Sequence, residues 1–98
     1  MSSTVLERLQ TWYESQCNED WEHQHGVQIE TLDNPGWAVK IDLVDTDLQG
    51  RAFVEVRDLD SESEWMACKV ENERFLGYGG PRMLGRIVST FLDWADGG

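Results

Sequence analysis

The sequence predicts an α+β fold: an antiparallel four- to five-stranded meander sheet flanked by an N-terminal and a C-terminal helix. Three observations predict it. One helical apolar stripe opens the chain and another closes it. Hydropathy alternates with period two through most of the middle. The links between the alternating runs are too brief for parallel crossovers, which need a dozen residues or more. Ninety-eight residues suit a single domain spanning 1–98, with no repeat, linker or low-complexity tract.

Residues 4–17 read as an amphipathic helix. Val5, Leu6, Leu9, Trp12, Tyr13 and Cys17 recur at helical spacing, with Glu7, Arg8, Gln10, Glu14 and Ser15 on the other side. Thr4 followed by Glu7 forms a capping-box pattern, and Asn18 is a stop. After the polar link 18–24, Val27, Ile29 and Thr31 share one face of a first strand. Trp37, Val39, Ile41 and Leu43 share one face of a second. Between them, Asn34-Pro35-Gly36 meets the demands of a type II turn, with proline fixing φ and glycine taking the positive φ. Type II twists the wrong way for a two-residue hairpin, so a four- or five-residue loop starting near Leu32 is expected.

Ala52, Val54 and Val56 form a third alternating run after a turn at Gln49-Gly50. The acidic loop Asp58-Leu59-Asp60-Ser61-Glu62-Ser63 leads to a fourth strand over 65–70, and a tight turn at Asn72 leads to a short fifth over 74–77. The run Gly77-Tyr78-Gly79-Gly80 reads as a flexible loop delivering Pro81 to the first position of the closing helix. Leu84, Ile87, Val88, Phe91, Leu92 and Ala95 are that helix's buried stripe, and Gly97 ends it. Gly85 costs it about 1 kcal/mol against alanine, a cost consistent with close approach of the helix to the sheet.

Nineteen acids against eight bases give a net charge of −11. That balance works against nucleic acid and anionic lipid, and favours a cationic partner with salt-sensitive association. Acidity also serves solubility alone. Cys17 and Cys68 show no pairing pattern, and the start MSSTVLERLQTW lacks a signal-peptide pattern. No apolar run reaches the roughly 20 residues that cross a membrane. A reducing cytoplasm with free thiols is expected.

Asp20, Glu22, His23 and His25, with Cys17 nearby, are the one cluster of metal-ligand character. The two histidines project together only from an extended stretch, and HExxH is absent. The same residues define the alternative function, a small enzyme or metal-binding protein. No nucleophile sits in a strained-turn motif, Cys17 falls at a helix end whose dipole disfavours a thiolate, and Gly77–Pro81 matches no phosphate-loop pattern. Chemistry of the chain's own is not expected, and neither is a cofactor.

Five tryptophans exceed the need of one small core. Trp12, Trp65 and Trp94 sit on or beside predicted elements. Trp21 lies in a polar link and Trp37 directly after a turn, leaving two readings: interface anchors rimmed by charge, or rings packed on each other across the helix–sheet junction. Glu19, Asp20, Glu22, Asp33, Asp42, Asp45 and Asp47 make a single negative surface if the strand register brings them together.

Several of these residues form a recognisable series: Leu9-x-x-Trp12-Tyr13, Gln16-Cys17-x-x-Asp20-Trp21-Glu22-His23, Gly26-Val27, Thr31-Leu32-Asp33-Asn34-Pro35-Gly36-Trp37, Ile41-Asp42-Leu43 and Gly79-Gly80-Pro81. The series resembles the immunity protein 53 family of bacterial polymorphic toxin systems, most densely before residue 44 and more loosely over 44–73. The resemblance implies a cytoplasmic antitoxin that binds and neutralises a cognate toxin domain, without catalysis, cofactor, nucleic acid or membrane. A toxin that cuts nucleic acid carries a basic surface, which suits a blocker at −11. Asp20, Trp21, Glu22, His23, Asp33, Trp37 and Asp42 are the toxin-binding candidates.

Overall fold

A computed structural model describes residues 4–59, 62 and 64–97. Helix α1 spans Val5–Gln16, and a single turn, α2, spans Trp21–Gln24. Strands β1 (Val27–Leu32), β2 (Gly36–Asp42), β3 (Val56–Asp58), β4 (Met66–Glu71) and β5 (Arg74–Gly79) follow, and α3 (Leu84–Ala95) closes the chain. The five strands form one antiparallel sheet, so the α+β class and the flanking helices are as expected.

The strand order is β1-β2-β5-β4-β3, which is not a plain meander. Strand β5 pairs with β2, and β3 stands at the far edge. The cause lies in residues 43–55. The pattern at Ala52, Val54 and Val56 suggests a strand returning along β2, yet residues 43–51 are a chain of turns and 52–55 run on without regular structure. Thr46 donates to the Leu43 carbonyl, Gln49 to Thr46 and Arg51 to Leu48, while Asp45 takes a positive φ and its amide donates to the Gln49 side chain. Leu48, at 3% exposure, anchors the wrap in the core. Thirteen residues suffice to carry the chain to the opposite edge, and β3 keeps only three.

The core lies on one face of the sheet. Val39 and Ile41 of β2, Met66 and Cys68 of β4, and Phe75 of β5 meet Ile87, Val88, Phe91 and Leu92 of α3, with Leu9 of α1 beside them. Alternation puts Arg74, Leu76 and Tyr78 of β5 on the opposite face. Glycine allows α3 to come close, but not where the sequence suggests. A Cβ on Gly85 would meet nothing within 4 Å. On β5 a Cβ at Gly77 would lie 2.4 Å from Ile87 Cγ2, and one at Gly79 would lie 2.9 Å from Met83 Cβ. The expected flexible loop over Gly77–Gly80 is therefore largely strand, made of glycine because a helix lies across it. Helix α3 starts at Leu84 rather than Pro81, after a turn in which Met83 donates to Gly80.

Two hairpins complete the frame. In the β1–β2 hairpin Leu32 pairs directly with Gly36, so the connection is three residues, not four or five. Gly36 belongs to β2 and its φ is not positive. It is glycine because a Cβ there would fall 2.4 Å from the Gly79 carbonyl oxygen. In the β4–β5 hairpin Asn72 and Glu73, at φ 54° and 61°, form the expected tight turn. Helix α1 begins as the capping pattern predicts, with Thr4 Oγ1 accepting the Glu7 amide at 3.1 Å. Arg8 ties α1 to α3 through Asp96 at 2.8 Å and Asp93 at 3.3 Å. Asp60, Ser61 and Ser63 of the predicted acidic loop lie outside the described residues. Among the described residues no helix is long and apolar enough to cross a membrane.

Candidate functional site

The link between α1 and β1 is held by reciprocal capping. Asn18 Oδ1 accepts the amides of Asp20 and Trp21 at 3.0 and 2.9 Å. In return the Glu22 carboxylate accepts the amides of Asn18 and Glu19 at 2.9 and 2.8 Å. The arrangement lets Glu19 take a positive φ of 75° and turns the chain into α2. Hydrogen bonds from its own amide, and then from Asn18 and Glu19, hold the Glu22 carboxyl below its ordinary value. Glu22 thus serves the loop's fold, whatever else it touches.

Trp21 is 3% exposed. Its ring meets Trp12 edge-on at 6.1 Å and Tyr13 at 6.0 Å, and Nε1 donates to the Val44 carbonyl at 2.9 Å. Burial withdraws this indole from the surface. Trp37 is half-buried, and its Nε1 donates to the Pro81 carbonyl at 2.9 Å. The two rings do not pack on each other, because they belong to opposite ends of the β1–β2 hairpin. Trp94 does the same as both, donating to Ala52 at 2.8 Å. Three indoles therefore clip two connections, 43–55 twice and 80–83 once.

At the α2 end the structure gathers most of the candidates. Asp20 is exposed and lines a small cleft of about 160 Å³ with Asn18, Trp21, Gln24, His25 and Asp45. Asp42, the last residue of β2, accepts the Gly26 amide at 3.0 Å and lies 3.8 Å from His25 Nδ1. Arg74 Nε is an ion pair at 3.1 Å from Asp42 Oδ1, though not aligned as a hydrogen bond. The Asp42 charge is thereby offset locally, leaving Glu19, Asp20 and Asp45 as the exposed acids of this corner. Asp33 does not join them. It sits in the turn at the other end of the hairpin, about 20 Å away by strand rise.

His23 and His25 part for a helical reason. His23 lies within the α2 turn and is exposed, whereas His25 caps that turn and leans on Trp21 at 6.0 Å. Positions two apart point to different sides of a helical turn. Among the described residues no group of three His, Cys, Asp or Glu side chains is placed to hold a metal ion. Cys68 is 1% exposed, and burial pushes its thiol up to about 12.

The sequence offers Asp45 only as one acid of a broad negative surface, since its place beside Asp20 depends on the wrap 43–55, and it offers Asn18 only as a helix stop. The Asn18 and Glu22 spacing carries a signal, since an amide side chain four residues before a carboxylate can cap in both directions.

Comparison with curated proteins gives no significant match, and comparison with solved structures gives none. Against known families, residues 6–96 match Immunity protein 53. The match takes in both long helices and every strand, and on that extent the chain belongs to the immunity protein 53 family.

Proposed function

We propose that this protein is a cytoplasmic antitoxin that binds the toxin domain encoded beside it and covers that domain's active surface, with no reaction or cofactor of its own. The observation that carries the reading is the family match across residues 6–96. The net charge of −11 supports a cationic target, and a toxin acting on nucleic acid presents one. The exposed acids Glu19, Asp20 and Asp45 are the charged contacts of this corner; Asp33 and Trp37 are contacts only for a partner that also reaches the hairpin's far end. Trp21 and Glu22 contribute by holding the loop in shape, and His23 stands exposed beside them.

Cells expressing the neighbouring toxin domain survive only when this protein is co-expressed, and the purified pair forms a stoichiometric complex. Cells that die regardless would overturn the reading. Asp20→Lys is the clean test of the acidic corner because its side chain caps nothing. It should slow association several-fold at low salt and flatten the dependence on ionic strength while leaving the circular dichroism spectrum unchanged. Unchanged association in both Asp20→Lys and Asp45→Lys removes that corner from the interface.

A further inference from the structure

We infer that the toxin docks by strand addition. An extended segment of it pairs along β1 as a sixth strand and seats alternate apolar side chains in the groove between β1 and α1. The inference rests on the partner being the toxin, and it identifies where and how that partner is held.

The edge itself is the first observation. Strand β1 ends the sheet, six residues long, and no described strand pairs with its outer side. The Asp42 amide donates to the Gly26 carbonyl at 3.1 Å, which fixes the phase of the ladder. In an antiparallel pair, residues alternate between bonding inward and pointing outward. Gly26, Gln28, Glu30 and Leu32 therefore bond toward β2, while Val27, Ile29 and Thr31 direct their N–H and C=O groups away from the sheet. Sheets usually protect such an edge with proline, lysine, a bulge or brevity. The sequence VQIETL has no proline or lysine, and its register with β2 is unbroken. Its one charge, Glu30, projects to the opposite face and pairs with Lys40 at 3.3 Å. The other edge, β3, is only three residues long and includes Arg57 and Asp58.

The second observation is apolar surface. Val27 and Ile29 share the helix-bearing face with their buried partners Ile41 and Val39. Helix α3 covers β2, β5 and β4, but nothing covers this face of β1 completely: Ile29 is 39% exposed. A groove of about 360 Å³ runs there between Leu9, Gln10 and Tyr13 of α1 and Gly26 and Val27. Of the five large apolar side chains left exposed among the described residues, Leu6, Tyr13 and Ile29 lie on the two elements that wall this groove. Beside it, Gln10, Thr11, Tyr13, Glu14 and Cys17 line a second depression, so one wall carries an acid. An extended chain with apolar residues at every second position fits backbone and groove, and a base flanking that run meets Glu14 and the negative field of the chain. A second copy of this protein fits poorly, since two chains at −11 repel.

The test is amide hydrogen exchange on the protein alone and bound to the toxin domain encoded beside it. Exchange at Val27, Ile29 and Thr31 should slow at least tenfold on binding, while Gln28 and Glu30 stay protected throughout. Ile29→Pro deletes an outward N–H without removing a β1–β2 hydrogen bond, and should weaken binding at least tenfold. Ile29→Lys leaves the backbone intact, opposes a basic segment and should weaken binding similarly. Were the proline variant to misfold, exchange and the lysine variant would decide. Binding with unchanged exchange at the three amides overturns strand addition but not the antitoxin reading, as does binding of Ile29→Lys within twofold of the parent. Protection already present in the free protein, with a dimer seen by light scattering, would assign the edge to a second copy. No binding by the parent protein would overturn both proposals.

Discussion

Trp21→Phe separates a residue that builds the loop from one that touches the partner. Phenylalanine keeps a ring in the slot against Trp12 and Tyr13 but has no donor for the Val44 carbonyl. A buried acceptor without a partner costs about 1–3 kcal/mol. Val44 is half-buried, so water reaches part of it and the low half of that range applies. The smaller ring gives up roughly 40 Å² of buried apolar surface, or about 1 kcal/mol at 25 cal/mol per Å². Together the loss is about 2–3 kcal/mol, against about 3–5 kcal/mol for Trp21→Ala. A domain of this length holds about 5–15 kcal/mol in reserve, so the phenylalanine variant remains folded in water. With a urea slope of about 1–2 kcal/mol/M, its unfolding midpoint falls by about 1–3 M. Circular dichroism in a urea titration reads that shift, and toxin affinity at zero denaturant should stay within a few-fold of the parent. An unmoved midpoint combined with a collapse in affinity would refute the reasoning and make Trp21 a contact.

Two further predictions come from the packing. Gly77→Ala drives a methyl group into Ile87 and should lower stability by about 1–3 kcal/mol, whereas Gly85→Ala enters open space on an exposed helical position and should raise it by about 0.5–1 kcal/mol; thermal melts showing the same sign for both would refute the assignment of close approach to β5. The Cys68 thiol, near 9 when unfolded and about 12 when folded, binds its proton more tightly in the native state. Its contribution is complete below about pH 9 and is lost as pH rises toward 12, at up to about 1.4 kcal/mol per pH unit. Urea titrations across that window should fall more steeply for the parent than for Cys68→Ala, and parallel curves would contradict the burial argument.

Local pattern carried much of this architecture. The stripe Val5, Leu9, Trp12 with its Thr4 cap predicts α1, and period-two alternation gives both faces of β1 and β2 correctly. Strand order escaped because it depends on 43–55 wrapping under Leu48 rather than pairing, a choice made by contacts distant in sequence. The glycines were misplaced for a similar reason. Gly85 stood out as a helix defect, but Gly77 and Gly79, two apart on one strand face, were the pair whose spacing marks a crossing helix. At the candidate site, the acids of the α2 corner were legible as types but not as roles. Only the four-residue spacing from Asn18 distinguishes Glu22, which caps, from Asp20, which does not. Trp21 stays open between anchor and packed ring because its neighbours in sequence are polar, while the residues that enclose it are Trp12 and Tyr13 of α1 and Val44 far downstream.

The indole clips have a consequence for how such a scaffold tolerates change. Each takes hold of a main-chain oxygen, at Val44, Ala52 and Pro81, and every amino acid supplies that oxygen equally. The clasp on each loop is therefore blind to the loop's own lettering. Outward positions in those two segments are free to be rewritten for a different adversary while the same three rings keep the path of the chain.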